Sequence, residues 1–132
     1  MRLTIQTEFG IHALVYLARR KGVLLTAREV AAGIGLPCNH TVKILQRLRQ
    51  AGYLSTARGR IGGTWLARPA QEISVGEVVR ALERPFAVVD CMREDGRCAA
   101  GADCKDAIAR ALAAYLAVLD GISIAEIAHT DP

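Results

Sequence analysis

The chain lacks any hydrophobic run near the roughly 18 residues that a membrane span needs, and its first residues lack the apolar core of a signal peptide. A cytoplasmic location is the expectation. None of its four cysteines forms a Cys-x-x-Cys pair, and there is no glycine-rich cofactor loop or convincing Cys–His couple, which argues against a thiol enzyme such as a peroxidase or reductase. The chain is not expected to be an enzyme. Internal repeats, low-complexity stretches and long linkers are also missing, and 132 residues, 52% of them hydrophobic, suffice for one modest core rather than two.

Acid is missing where it matters most. Residues 30–71 contain no Asp or Glu but carry Lys43, Arg47, Arg49, Arg58, Arg60 and Arg68. Five basic and two acidic side chains precede that segment, and six basic and eleven acidic follow it. An acid-free basic stretch beside an acidic one is the electrostatic footprint of a domain that meets phosphate through its middle.

Periodicity places helices around that stretch. Ile11, Leu14, Val15, Leu17 and Ala18 recur at helical spacing, with Thr7 the expected N-cap and Gly22 the stop. Thr26 and Glu29 make a capping box ahead of a short helix that Gly33 and Gly35 end. Asn39 is the expected N-cap of a second, basic helix with a core stripe of Val42 (or Thr41), Ile44, Leu45 and Leu48. Two helices about a tight turn make a helix-turn-helix. Beyond Gly52, two strand-like runs flank an arginine-bearing glycine tip at 58–63, which reads as a β-hairpin wing.

Further on, Ser74 and Glu77 open another helix with a capping box, and Pro85 terminates it. The longest helix is expected from about Cys104 to Asp120, rich in alanine, with too thin a polar face for the surface of a monomer. Ser123 and Glu126 make a third box. The fold class is therefore mainly α with a small β-hairpin wing: a winged helix-turn-helix over 1–84, then a cysteine-bearing segment and dimerisation helix over 85–132.

Position sorts the DNA-reading candidates. In a winged helix the second helix of the motif enters the major groove and its N-terminal residues reach base edges. Asn39, His40, Thr41 and Lys43 are expected there, with Arg47 one turn on, reaching a base or a phosphate. Arg49 and Arg68 would hold phosphates, and Arg58 and Arg60 on the wing tip suit a narrow minor groove.

Cys91, Cys98 and Cys104 are separated by six and then five residues in a glycine-containing polar stretch, so three thiols can converge. Zinc sites usually pair cysteines two to four residues apart, which neither gap fits. An iron–sulfur cluster tolerates longer gaps and a non-cysteine ligand and is favoured; a dithiol redox sensor is the other option. Cys38, apart from these, reads as a small buried residue.

The opening MRLTIQTEFGIHALVYLA, the run NHTVKILQRLRQAGYLSTARGRIGG, the segment ISVGEVVRALE and the three spaced cysteines together resemble, over nearly the whole chain, the winged-helix iron–sulfur transcriptional regulators that include NsrR and IscR. The nitric-oxide-sensing branch of that family is the most similar. The resemblance implies a cytoplasmic homodimer paired through the long helix, a repressor of a double-stranded DNA operator, whose Cys91, Cys98 and Cys104 bind a cluster, four-iron in preference to two-iron. A histidine ligand found three residues past the last cysteine in one branch is Ala107 here. In the nitric-oxide branch the fourth ligand is an aspartate from the partner chain, and the matching position is Glu8. With the same ligands, redox or iron–sulfur status is the alternative input.

Overall fold

The structure is a computed structural model that describes residues 2–83, 86 and 101–130. Helix α1 runs Ile5–Arg19, α2 Ala27–Ile34 and α3 Cys38–Gln50; the hairpin strands are β1, Leu54–Ala57, and β2, Gly63–Leu66. A single 3-10 turn, Ala70–Glu72, leads to α4, Val75–Leu82, and then come α5, Ala102–Asp120, and α6, Ile124–His129. The mainly helical winged-helix architecture expected from the sequence is what forms.

Local chemistry explains most of the helix starts. Thr26 donates its backbone N–H to Glu29 Oε2 at 2.7 Å, and its hydroxyl accepts the Glu29 N–H at 3.3 Å, completing the box at α2. Ser123 and Glu126 do the same at α6. At α4 the box is half made. Ser74 Oγ accepts the Glu77 N–H at 3.1 Å, but the Glu77 carboxylate is taken by Arg68.

Two expected caps move. Thr4, not Thr7, caps α1, accepting the Thr7 N–H at 3.3 Å, and Thr7 is fully buried one turn inside. Pro37 occupies the N-cap position of α3 with no side-chain hydrogen bond, so Asn39 lies inside the first turn. Proline supplies a fixed φ at a helix start without needing an N–H.

The wing pairs Leu54 with Leu66 and Ala57 with Gly63. Leu25 adds a bridge to Thr64, with N···O distances of 3.2 and 2.8 Å, which ties the hairpin to the chain just ahead of α2. Gly59 turns the tip at φ +109°, a conformation that side chains resist.

A single core holds these parts. Leu14 and Leu17 of α1, Val30 of α2, Ile44 and Leu48 of α3, Val78 and Leu82 of α4, Leu116 of α5 and Ile124 of α6 all belong to it. Gly10 lets α1 approach α4, since a Cβ there would lie 2.5 Å from Leu82 Cδ1. The boundary expected after residue 84 falls outside the described residues. The C-terminal helices nonetheless return to the N-terminal part: Val75 N–H donates to Ile122 O at 2.9 Å and Ile124 N–H to Ile73 O at 2.8 Å. Arg80 clasps Asp120 with bonds of 2.5 and 2.6 Å, tying α4 to the end of α5.

Leu48 sits at the centre of this packing with no exposed surface. Leu48→Ala is expected to cost about 2–5 kcal/mol, read as a lower urea midpoint at unchanged slope.

Candidate nucleic-acid interface and cysteine segment

Helix α3 has one committed face and one free face. Thr41, Ile44, Leu45 and Leu48 are buried, while Asn39, His40, Val42, Lys43, Gln46 and Arg49 are exposed. The structure therefore corrects the expectation for Thr41. It is wholly buried, and its hydroxyl donates to Pro37 O at 3.2 Å, so it fixes the first turn and does not face outward with Asn39 and His40. Val42 takes the outward place instead, 47% exposed. An apolar side chain on such a face suits a thymine methyl. The 3.6-residue period could have found it, because 41, 44, 45 and 48 stand at i, i+3, i+4 and i+7, which leaves Val42 outside the buried stripe.

Arg47 also departs from expectation. Its guanidinium donates to Gln6 Oε1 of α1 and, at 2.9 Å, to the Leu82 carbonyl at the end of α4. Those bonds hold α3 against two other helices. Next to them, Glu83 Oε1 accepts the Thr4 N–H at 2.6 Å and the Thr4 hydroxyl at 2.9 Å. Burial pushes the Glu83 carboxyl up, but hydrogen bonds from Thr7 and Thr4 and the charge of Arg47 outweigh it and hold the group below the usual carboxylate range. The start of α1, the middle of α3 and the end of α4 thus meet in one polar joint.

On the wing, Arg58, Arg60 and Ile61 are exposed, Ile61 at 89%. Arginine answers the negative potential of a narrow minor groove, and an exposed aliphatic tip can wedge against base steps. Among the described residues the ion pairs are Arg68–Glu77 and Arg80–Asp120. Lys43, Arg49, Arg58 and Arg60 form no ion pair among those residues and put positive charge on α3 and the wing. Arg68, a candidate phosphate contact, is engaged by Glu77 and lies 5.5 Å over the Tyr53 ring.

Of the cluster candidates, Cys104 is half-buried in the first turn of α5 and Glu8 is exposed in the first turn of α1. Cys91 and Cys98 lie outside the described residues. Among the described residues no three His, Cys, Asp or Glu side chains converge as a metal site. Cys38 is exposed, not buried as expected, at the first position of α3, directly after the Pro37 cap. No described helix is long and apolar enough to cross a membrane.

A helix-turn-helix with a hairpin wing and an acid-free basic face defines a DNA-binding transcriptional regulator. Residues 3–130 match the model of the Rrf2 family, described as iron-dependent transcriptional regulators, and the chain belongs to that family. Solved structures agree in fold. CymR, the global cysteine regulator of B. subtilis, superposes with a TM-score of 0.81 at 23% identity, covering 99% of both chains. IscR of T. potens gives 0.78 at 23% identity over 100% of this chain and 93% of that one. The oxidised form of Staphylococcus aureus CymR gives 0.77 at 25% identity over 100% and 99%.

Two tests separate binding groups from holding groups. Lys43→Ala should leave stability within about 0.5 kcal/mol while weakening DNA binding and lowering the salt slope by about one counterion. Arg47→Gln should cost about 1–3 kcal/mol of stability, measured by urea unfolding. Glu83 gives a pH signature. With its folded pKa depressed, its stabilisation is full above the unfolded value of about 4.5 and is lost as pH falls through the folded value. Glu83→Gln should therefore lower stability at pH 7 and flatten its fall in acid.

Proposed function

We propose that this chain is a homodimeric, iron–sulfur-dependent repressor that senses nitric oxide. The observation that carries the reading is the polar joint at the end of α4. Glu83 holds the start of α1, where Glu8 lies one turn on, and Arg47 of α3 holds Leu82. The chain then leaves α4 directly into the segment that bears Cys91 and Cys98.

The donor set fits a cluster in its chemistry: three thiolates, from Cys91, Cys98 and Cys104, and one carboxylate, from Glu8, reaching across from the partner chain. A four-iron cluster is favoured, with a two-iron type the other form. When bound, the cluster supplies an oxygen-ligated iron open to nitric oxide, where a thiolate would protect it better. Everything else is done by the chain. Ordering the segment from 91 to 104 fixes the end of α4, and Leu82 and Glu83 pass that position to α3 through Arg47 and to α1 through Thr4. Release of the segment relaxes the separation of the two recognition helices, and a dimer reading half-sites about 34–36 Å apart loses its fit. Asn39, His40, Val42 and Lys43 face the bases in this reading, with Arg58 and Arg60 at the minor groove.

The dimer follows from α5. Of its 19 residues only Leu116 is buried. Ala107, Ala111, Ala114 and Val118 are all exposed, at spacings of four, three and four, and Val118 is 66% exposed. That is the seam of a helix awaiting a helix, with small side chains that permit close approach.

Anaerobically purified protein should contain iron and sulfide, bind operator DNA, and lose that affinity on addition of nitric oxide. Equal affinity with and without cluster, and after nitric oxide, would refute the mechanism. Glu8→Ala should alter the absorption spectrum, and an unchanged cluster in that variant removes Glu8 from the ligand set. Ala114→Arg, placed on an exposed position, should fold normally and sediment as a monomer. The likeness to an oxidised CymR favours redox state as a second reading, and parallel titrations with nitric oxide, oxygen and dithionite separate the two inputs.

A further inference from the structure

A second site lies apart from the outward face of α3, with neither Cys38 nor Cys104 in its lining. The end of α1, the turn at 20–24, β2, the 3-10 turn and α6 enclose a groove of about 770 Å³. That volume falls within the range of about 300–1,000 Å³ typical of small-molecule sites. Its floor is aliphatic, with Leu17, Leu66 and Ala125 among its residues. Its walls include Val23, Leu24 and Trp65, which are 50%, 44% and 36% exposed. Three of the seven large apolar side chains exposed among the described residues thus gather in this groove. Solitary exposed apolar side chains are ordinary, but a concentration of them in a concavity marks a binding surface.

Charge at the rim says what kind of ligand fits. Arg19, Arg20, Lys21, Arg68 and His129 line the groove, and among the described residues no Asp or Glu does. Glu77 answers Arg68, which leaves the cations at the end of α1. Two of these are held in place: Arg19 donates to Ala128 O at 3.0 Å and Thr130 O at 2.7 Å, and Arg20 stacks 3.7 Å from the centre of the Tyr16 ring. Lys21, exposed beside them, is the adaptable one. A fixed cationic edge on an apolar trough rewards a molecule with an anionic head and a hydrophobic body. A bare inorganic anion gains nothing from the trough, and a neutral apolar molecule gains nothing from the edge.

We propose that this groove binds a small amphipathic organic anion, a carboxylate or sulfonate carried on an aromatic or aliphatic body. The occupant would touch the base of the wing, because Trp65 pairs with Ser55 across the hairpin and its neighbour Thr64 bridges to Leu25. The chain would then have an input to the wing that bypasses the cysteine segment.

Trp65 is the only tryptophan of the chain, so its emission reports the site. The full-length protein is titrated with 8-anilinonaphthalene-1-sulfonate, with uncharged N-phenyl-1-naphthylamine and with sodium sulfate. The expected result is saturable quenching of Trp65 by the sulfonate at one molecule per chain, with energy transfer to the probe. Lys21→Ala should weaken the sulfonate by about fivefold, the scale of one partly exposed charge contact, and leave the neutral probe unchanged. Leu24→Asp, at an exposed position, should abolish sulfonate binding while the circular dichroism spectrum and thermal unfolding stay as in the parent. The proposal is overturned if the neutral probe binds as tightly as the sulfonate, if sulfate alone displaces it at equal concentration, or if Leu24→Asp binds unchanged. It is also overturned if binding disappears as protein concentration rises, which would give the groove to a second copy of the chain. None of these readings depends on cluster content, so the proposal stands or falls apart from the nitric-oxide reading.

Discussion

A helix can bury a face or present it, and this protein is built around that division of α3. Ile44, Leu45 and Leu48 fix which side goes inward, and the Arg47 bonds to Gln6 and to the Leu82 carbonyl fix its position along and about its axis. Packing alone would tolerate small slides, because aliphatic contacts are non-directional. Hydrogen bonds from a planar guanidinium do not. The outward set of Asn39, His40, Val42 and Lys43 therefore has a defined orientation, set by bonds to α1 and α4.

Much of this was legible in the sequence because it is written locally. The capping boxes at Thr26 and Ser123 need only residues three apart, and both form as read. The wing announces itself through glycines and strand-like runs, and the pairing of Leu54 with Leu66 follows. What escaped depends on partners distant along the chain. Thr4 prevails over Thr7 because Glu83, 79 residues away, anchors it, and Arg47 looked like a DNA contact because its partner Leu82 is 35 residues off. The Ser74 box was half right for the same reason: Arg68 competes for the carboxylate that would have closed it. Thr41 and Val42 were separable by spacing, since 41, 44, 45 and 48 stand at i, i+3, i+4 and i+7, but valine's apolar character pointed the other way. Of the cysteines expected to gather, only Cys104 lies within the described residues.

Charge and apolar surface are segregated with the same economy. Among the described residues Lys43, Arg49, Arg58 and Arg60 form no ion pair, whereas Arg68 and Arg80 are matched by Glu77 and Asp120. Asp120 raises the pKa of Arg80 and Arg80 lowers that of Asp120, each chiefly through their shared hydrogen bonds, so this clasp stays charged on both sides across the neutral range. Positive charge is thus spent holding helices together or left free for phosphate, according to whether an acid lies within reach. Of the exposed large apolar side chains, Val23, Leu24 and Trp65 gather in the groove, Val118 lies on α5, and Val42 and Ile61 stand on α3 and the wing.

The paired starts of α4 and α6 have a topological consequence. Ser74 bridges Ser123, flanked by the bonds from Val75 to Ile122 and from Ile124 to Ile73. Everything between them, the cysteine segment and α5 included, is one excursion whose two feet stand side by side. Closing so long an excursion costs entropy that grows only slowly with its length, so the span can be lengthened or shortened with little penalty while its feet stay put. The same footing keeps α4 inside the excursion, where the Leu82 carbonyl holds Arg47, so a change of sequence beyond α4 has a defined route to α3 through that one joint.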